Sequence, residues 1–406
     1  MKVKAFKAWR PTQEKVEQVA SVPYDVVDKA QAAALAENNP DSFLHVVRAE
    51  IDLPADTNPY SDEVYAKAKA NLQRLMDDGI LIRESEPSLY LYSQQMGDHV
   101  QFGIVATCHT DDYETGKIKI HEKTRRVKEE DRIRYVDTQN ANTGPVFLAY
   151  RDHETINEIV EQTKKTAPLY AFTAEDGVIH NVWKFEDPSA LESAFADIPN
   201  TYVADGHHRS ASAAKVSAMR RAKNPNHTGE EPYNYFLAVL FPASELKILA
   251  YNRVVLTLPD TKEAFLSALN EKFVVEANGV STPRKSGEIC MYMDGAWSTL
   301  TPKQAPDASD PVASLDVSIL QNEVLAPILN IADPRESNDI DFVGGIHGTA
   351  ALEKWVDDGR AVVAFSMFPT SMEELFAVAD ANMLMPPKST WFEPKLRSGL
   401  LVNTLD

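Results

Sequence analysis

Apolar residues recur along this chain at two spacings, and the spacing changes every ten to twenty residues. In the window 61–78, Val64, Ala68, Leu72 and Leu75 share one helical face. Acidic residues follow Ser61 and Gly79 ends the run, as helix start and stop signals require. The window 153–166 repeats the pattern with Ile156, Ile159, Val160 and Thr163 inward, and 315–328 does so with Val317, Leu320, Val324 and Ile328. Shorter helices are predicted over 29–37, 127–136, 190–196, 261–273 and 371–381.

Period-two and fully apolar runs lie between these helices. They predict strands over 2–9, 89–92, 100–106, 117–120, 233–241 and 361–367. Residues 43–47 read as a short buried strand, and 246–258 as a long one interrupted by Asn252-Arg253. Asp294-Gly295 closes a hairpin between 289–293 and 297–300. Strands and helices alternate throughout, so the expected class is α/β in the mixed α+β sense. A length of 406 residues exceeds one ordinary core. Two lobes are expected: 1–258, and a smaller C-terminal α/β lobe, 259–406, whose tail returns to the cleft of the first.

Composition narrows the function. The chain is 44% hydrophobic and 25% charged, with a formal net charge of -19. That acidity opposes general nucleic-acid binding and association with anionic membranes, while a local basic pocket would still gather anions. Cys108 and Cys290 stand alone without metal-ligand spacing, which suits a reducing cytoplasm. No leader-like or membrane-spanning apolar run is present. Whether copies assemble into a homo-oligomer is not legible.

The chemistry concentrates in two stretches. A β-prone run from Thr201 leads into Asp205-Gly206-His207-His208-Arg209, where a helix begins. Ala211, Ala214, Ala218 and Ala222 form a small-residue stripe on that helix. Two histidines and an arginine therefore meet the free N–H groups of a first helical turn, an arrangement suited to phosphate. Paired histidines near a helix start are as often capping or surface residues. The second stretch is His121-Glu122-Lys123-Thr124-Arg125-Arg126, four of six basic or imidazole. A carboxylate set among cations beside an anion site can act as a general base or share Mg2+. A solvated charge run is the bland alternative. Arg253, inside an apolar run, must find an anion or a carboxylate. Phe342 to Gly348 is glycine-rich but lacks the ending of a phosphate-binding P-loop.

Five motifs now carry a resemblance. Val22-Pro-Tyr-Asp-Val26, His121-Glu-Lys-Thr124, Asp205-Gly-His-His-Arg209, Asn252-Arg-Val-Val255 and Met385-Pro-Pro-Lys-Ser-Thr390 stand in the same order as in a widespread bacterial family long known only as a domain of unknown function. Members with an assigned activity look like ATP-dependent free serine kinases, with a core resembling the ParB/sulfiredoxin superfamily. The resemblance implies that core here, elaborated with extra strands and helices. It implies ATP and Mg2+ as cofactors, and a nucleotide and a free amino acid as the small-molecule partners. It makes Glu122 the base, assisted by His121 and His208, with Glu122 also a candidate Mg2+ ligand. It places Asp205, Gly206, His207, His208 and Arg209 around the phosphates, joined by Lys123, Thr124 and Arg253. Tyr24, Asp25, Lys388, Ser389 and Thr390 become the substrate side or a wall. One departure is visible: Val22 stands where the family usually has a second proline. Two rival functions share these residues, a ParB-like nucleotide switch and a Mg2+-dependent phosphohydrolase.

Overall fold

The computed structural model describes residues 1–406. The chain divides into two compact units. The first comprises 1–119, 124–246 and 394–406, and the second 120–123 and 247–393. The division thus falls at Leu246/Lys247, with two short segments exchanged, where the sequence suggested 258/259.

The first unit is built on a nine-stranded sheet. Its strands are β1 (Val3–Lys4), β2 (Tyr90–Met96), β3 (His99–His109), β4 (Ile118–Lys119), β5 (Val146–Tyr150), β6 (Tyr170–Thr173), β7 (Ile179–Lys184), β8 (Thr201–Asp205) and β9 (Tyr235–Pro242). The order across the sheet is β4-β8-β5-β9-β3-β2-β7-β6, with β1 beside β3. Two pairs, β4–β8 and β5–β9, are parallel and the others antiparallel, so the class is mixed α/β. Leu91, Ile104, Leu148, Val203 and Phe236 from five strands pack with Ile156, Leu191 and Phe195 from two helices, α3 (Glu154–Thr163) and α4 (Ser189–Ala196). A second core joins Val19, Phe43, Leu44 and Val47 to Leu72 and Leu75 of α1 (Asp62–Asp77).

The second unit holds a six-stranded, fully antiparallel sheet: β10 (Tyr251–Val255), β11 (Phe273–Ala277), β12 (Ile289–Met293), β13 (Ala296–Pro302), β14 (Ile340–Gly344) and β15 (Val363–Ser366), in the order β11-β13-β12-β15-β10-β14. The predicted Asp294-Gly295 hairpin is present, with φ of 51° and 76° at its two central residues.

Three local expectations need correction. Residues 43–47 form a helical turn, Leu44–Val47, instead of a strand; a five-residue apolar run broken only by His45 is too short to separate the two periods. The run 246–258 breaks at Ala250 into Lys247–Leu249 and β10, which belong to different sheets. The helix expected over 315–328 is α-helical only over Asp316–Leu320 and then widens into a π-turn, Gln321–Leu325. The glycines after Phe342 serve packing: a Cβ on Gly344 would meet the Trp391 ring at 2.6 Å, and one on Gly345 the Ala250 carbonyl at 2.7 Å.

Candidate functional site

The chain first has to turn out of the sheet. The β8–β5 register slips between Val203 and Asp205, a bulge that re-aims Asp205 away from the strand. Gly206 follows with φ of +96°, a left-handed conformation that strains any side chain. A Cβ there would also stand 3.1 Å from Arg209 Nε. Helix α5 (His207–Lys223) starts at once, with no side chain capping its N-terminus. The positive dipole end of the helix thus carries no side-chain cap, and such an end favours an anion. The helix buries only the first half of the predicted alanine stripe, Ala211 and Ala214. Ser210, Ala213, Ala214 and Ser217 face inward, whereas Ala218 and Ala222 are exposed. Small residues still allow close packing, but the face is rotated.

Four charges converge on this turn, those of Arg209, Asp25, Asp205 and Lys395. Arg209 donates from Nη1 to the Pro145 carbonyl, and its Nη2 lies 3.5 Å from Asp25 and 3.6 Å from Asp205. Its Nε is buried and has no hydrogen-bond partner. Lys395 donates to the other oxygen of Asp205 at 3.3 Å. Burial alone would raise the Asp205 carboxyl, but Lys395 and Arg209 outweigh it and hold the group well below the usual carboxylate range. Burial draws the His207 imidazole down to about 4, against the pull of Asp205, so the ring is neutral at pH 7. His208 accepts the Arg125 N–H on Nε2 at 3.0 Å, which leaves the ring proton on Nδ1. A cavity beside Arg209 is lined by Tyr24, Arg132, Gly144, Ser212 and Ser398.

The loop carrying Asp25 is fixed from below. Arg132 of α2 (Arg126–Gln139) is sandwiched between Tyr24 and Tyr135, 4.0 and 3.9 Å from the ring centres. Its guanidinium donates from Nε to Asp131 at 2.8 Å, and Asp131 also accepts from Tyr65 at 2.9 Å. Stacking and ion pairing hold this arginine charged and immobile. Tyr24 also lines the cavity beside Arg209, and burial pushes its phenol up, keeping it protonated. Thr124 gives its hydroxyl to Glu129 at 2.5 Å, so it braces the start of α2 in this structure.

The remaining predicted residues lie in the second unit. His121 Nε2 pairs with Thr390 Oγ1 at 3.1 Å, and its carbonyl accepts the Met385 N–H at 2.8 Å. These two contacts join the His-Glu-Lys-Thr segment to the Met-Pro-Pro-Lys-Ser-Thr segment. Glu122 and Lys123 line a cavity with Pro386 and Pro387. Ser389 is buried and donates to the Pro386 carbonyl at 2.6 Å, a turn-closing role. Lys388 has φ of +61° and its ammonium lies 5.4 Å from the centre of the Tyr251 ring. Arg253 is 2% exposed, donates only to the Tyr251 carbonyl and lies over the Phe342 ring. No carboxylate pairs with it, and burial lowers it to about 10. A buried guanidinium without a counter-charge is costly, which marks Arg253 as an anion-seeking group.

Two residues escaped the sequence reading. Lys395 sits in the tail motif region, but its partner Asp205 is 190 positions away. Arg132 falls in a run of helix-surface charges, and nothing in that run marks one arginine as buried.

The family profile described as a protein of unknown function, DUF1015, matches residues 3–318. The chain belongs to that family. No curated protein sequence matches it. Among solved structures it is similar to SbnI with C-terminal truncation from Staphylococcus aureus, at 12% identity, covering 72% of this chain and 85% of that one, with a TM-score of 0.40. It is similar to a free serine kinase in complex with AMP, at 13% identity, 73% and 92% coverage and a TM-score of 0.37. A conserved hypothetical protein from Pyrococcus furiosus gives 13% identity, 73% and 95% coverage and a TM-score of 0.36. No helix in the chain is long and apolar enough to cross a membrane.

Proposed function

We propose that this protein is an ATP-dependent phosphotransferase acting on the hydroxyl of a small molecule, with free L-serine as the acceptor and O-phosphoserine as the product. The observation that carries the reading is the turn from Asp205 to Arg209. It offers an uncapped helix start, a buried arginine whose Nε has no hydrogen-bond partner and a neutral imidazole in three consecutive residues. Phosphoryl transfer asks a protein mainly for positioning and charge neutralisation, and this turn supplies both.

In this reading the N–H groups of α5, His207 and Arg209 hold the phosphates, and Arg253 answers a further anionic group. Glu122 takes the proton from the acceptor hydroxyl. The acceptor oxygen forms the new bond to the γ-phosphorus, the bond from that phosphorus to the β,γ-bridging oxygen breaks, and ADP leaves with the electron pair. The acceptor proton ends on Glu122 and passes to solvent. His208, with Nε2 engaged by Arg125, serves to orient the chain around Thr124 rather than to shuttle protons through that nitrogen. Glu122 precedes that contact by three residues in the chain.

Mg2+ enters as part of the MgATP substrate. No group of three or more His, Cys, Asp or Glu side chains is poised to hold a metal ion. Mg2+ on a nucleotide takes most of its oxygen ligands from phosphates and water and needs only one or two carboxylates. Asp205 and Glu122 are the carboxylates the motifs provide.

The test pairs two variants. Glu122→Gln keeps shape and removes the proton acceptor, so turnover should fall by ~10²–10⁴ while the nucleotide Kd holds. A nucleotide switch would ignore this change, and near-normal transfer by Glu122→Gln would remove Glu122 from the mechanism. ATP hydrolysis that no amino acid alters would favour the phosphohydrolase.

A further inference from the structure

The segment from Pro394 onward belongs to the first unit, together with the phosphate turn. Its Lys395 donates to Asp205 Oδ2 at 3.3 Å, and the lysine side chain is only 15% exposed. The charges at the turn give that lysine a purpose. Asp25 and Asp205 both face Arg209 Nη2, at 3.5 and 3.6 Å. One guanidinium against two carboxylates leaves a net negative charge, which opposes phosphate. Lys395 brings the four charges into balance before any ligand arrives. The two cations differ in freedom. Arg209 is pinned by the Pro145 carbonyl as well as by the carboxylates. A lysine ammonium carries three donors on a flexible stem, so it can reach a phosphate oxygen without giving up Asp205.

The backbone that carries Lys395 is anchored on both sides. The Lys395 carbonyl accepts from Gln94 Nε2 at 2.8 Å, and Gln101 Nε2 donates to Gln94 Oε1 at 3.0 Å. Ser398 and Ser21 exchange backbone N–H bonds at 2.9 and 3.1 Å. Between these anchors lies Arg397, its side chain 5% exposed. It donates from Nε to His180 Nε2 at 3.2 Å and from Nη2 to Asp176. An arginine can only donate, so Nε2 is the acceptor and the ring proton of His180 sits on Nδ1, 2.8 Å from Tyr92 Oη. His180 is fully buried and stacks on the Phe172 and Tyr92 rings, with centres 5.1 and 5.9 Å away. Burial, with the Arg397 charge adding to it, draws the imidazole down to about 3 and keeps it neutral. A buried guanidinium held by a neutral ring is a costly anchor, and it stands two residues from Lys395.

We infer that Lys395 is a further phosphate-contacting residue of this site, and that Arg397, anchored on His180, is the positioning residue that aims it. When nucleotide binds, the ammonium adds a phosphate oxygen to Asp205 as its partners, beside Arg209. The inference rests on the phosphate reading of the turn, and nothing in it depends on the acceptor.

ATP binding to the full chain in EDTA, by calorimetry with thermal melts to verify folding, tests both parts. Lys395→Met should weaken ATP by ~10-fold or more, the loss of one charge-assisted contact. The loss should persist in an Asp205→Asn background. Equal Kd for Asp205→Asn and the Asp205→Asn, Lys395→Met double variant would make the lysine a counter-ion of Asp205 alone and overturn the contact. Arg397→Gln should weaken ATP several-fold by itself and change nothing further once Lys395→Met is present. An equal loss in both backgrounds would overturn the positioning role. If Arg397→Gln does not fold, Arg397→Lys, which keeps the charge and loses the fork, takes its place in the same cycle. Arg209→Ala separates the inference from the reading beneath it. If that variant weakens ATP and Lys395→Met does not, the phosphate turn stands and the role of Lys395 falls. If neither changes the Kd, or the wild-type protein binds no ATP, the phosphate turn falls with it.

Discussion

Arg209→Ala is the most informative single change at the phosphate turn. The side chain donates to the Pro145 carbonyl and, at 3.5 Å, to Asp25, and lies 3.6 Å from Asp205. Neither carboxylate depends on it alone. Asp205 keeps Lys395, and the Asp25 side chain is 28% exposed and can be solvated. The folding cost should therefore stay near ~1–2 kcal/mol, the range for a lost hydrogen bond and weakened ion pairs. The ligand cost is larger in proportion. A charge-assisted hydrogen bond to phosphate contributes ~1.5–3 kcal/mol, which is about 10- to 150-fold in Kd. Arg209→Lys should recover only part of this, because an ammonium lacks the planar fork. Calorimetric titration with ATP, alongside thermal melts to confirm folding, measures both quantities. An ATP Kd within twofold of wild type in a folded Arg209→Ala protein would refute the assignment of this turn to phosphate.

Two further outcomes follow from the same turn. Gly206→Ala should destabilise the protein by roughly 1–3 kcal/mol and impair nucleotide binding, since φ of +96° strains a Cβ and that Cβ would press on Arg209; a neutral effect in denaturant titrations would contradict the geometry. His207 titrates near 4 when folded and near 6.5 when unfolded. Above pH 6.5 neither state binds the proton, and below it the unfolded chain gains a proton that the folded one refuses. This histidine therefore lowers stability as pH falls from 6.5 to about 4. Relative to wild type, His207→Gln should lose about 2 kcal/mol less between pH 7 and pH 5, and parallel stability profiles would refute the buried neutral ring.

The strand, turn and helix from Thr201 to Lys223 were legible because each local signal agreed: a β-branched run, a turn glycine, then residues at helical spacing. Gly206 in a left-handed conformation is what that agreement demands. The buried face of α5 was harder, since Ser and Ala occur all round the helix and only packing distinguishes Ser210 and Ser217 from Ala218. Arg253 was readable as a cation in an apolar run in need of an anion, and burial without a carboxylate agrees. Lys395 was not, because a lysine in a proline-rich tail gives no hint of a partner 190 residues earlier. The π-turn at Gln321–Leu325 was invisible for another reason. Val317, Leu320, Val324 and Ile328 fit an unbroken α-helix, and one extra residue in a turn leaves that spacing nearly intact. Phe43 to Val47 shows the limit of periodicity, since five residues with His45 as the one polar position fit either pitch.

The central claim is that this chain moves a phosphoryl group from ATP to a free hydroxyl amino acid. Phosphorus NMR of wild-type protein with MgATP and L-serine tests it most directly, with Glu122→Gln run in parallel. The account predicts ADP and O-phosphoserine in equal amounts, with product formation suppressed by ~10²–10⁴ in the variant. ADP and inorganic phosphate at a rate indifferent to serine, threonine and homoserine, or no ATP turnover at all, would contradict it.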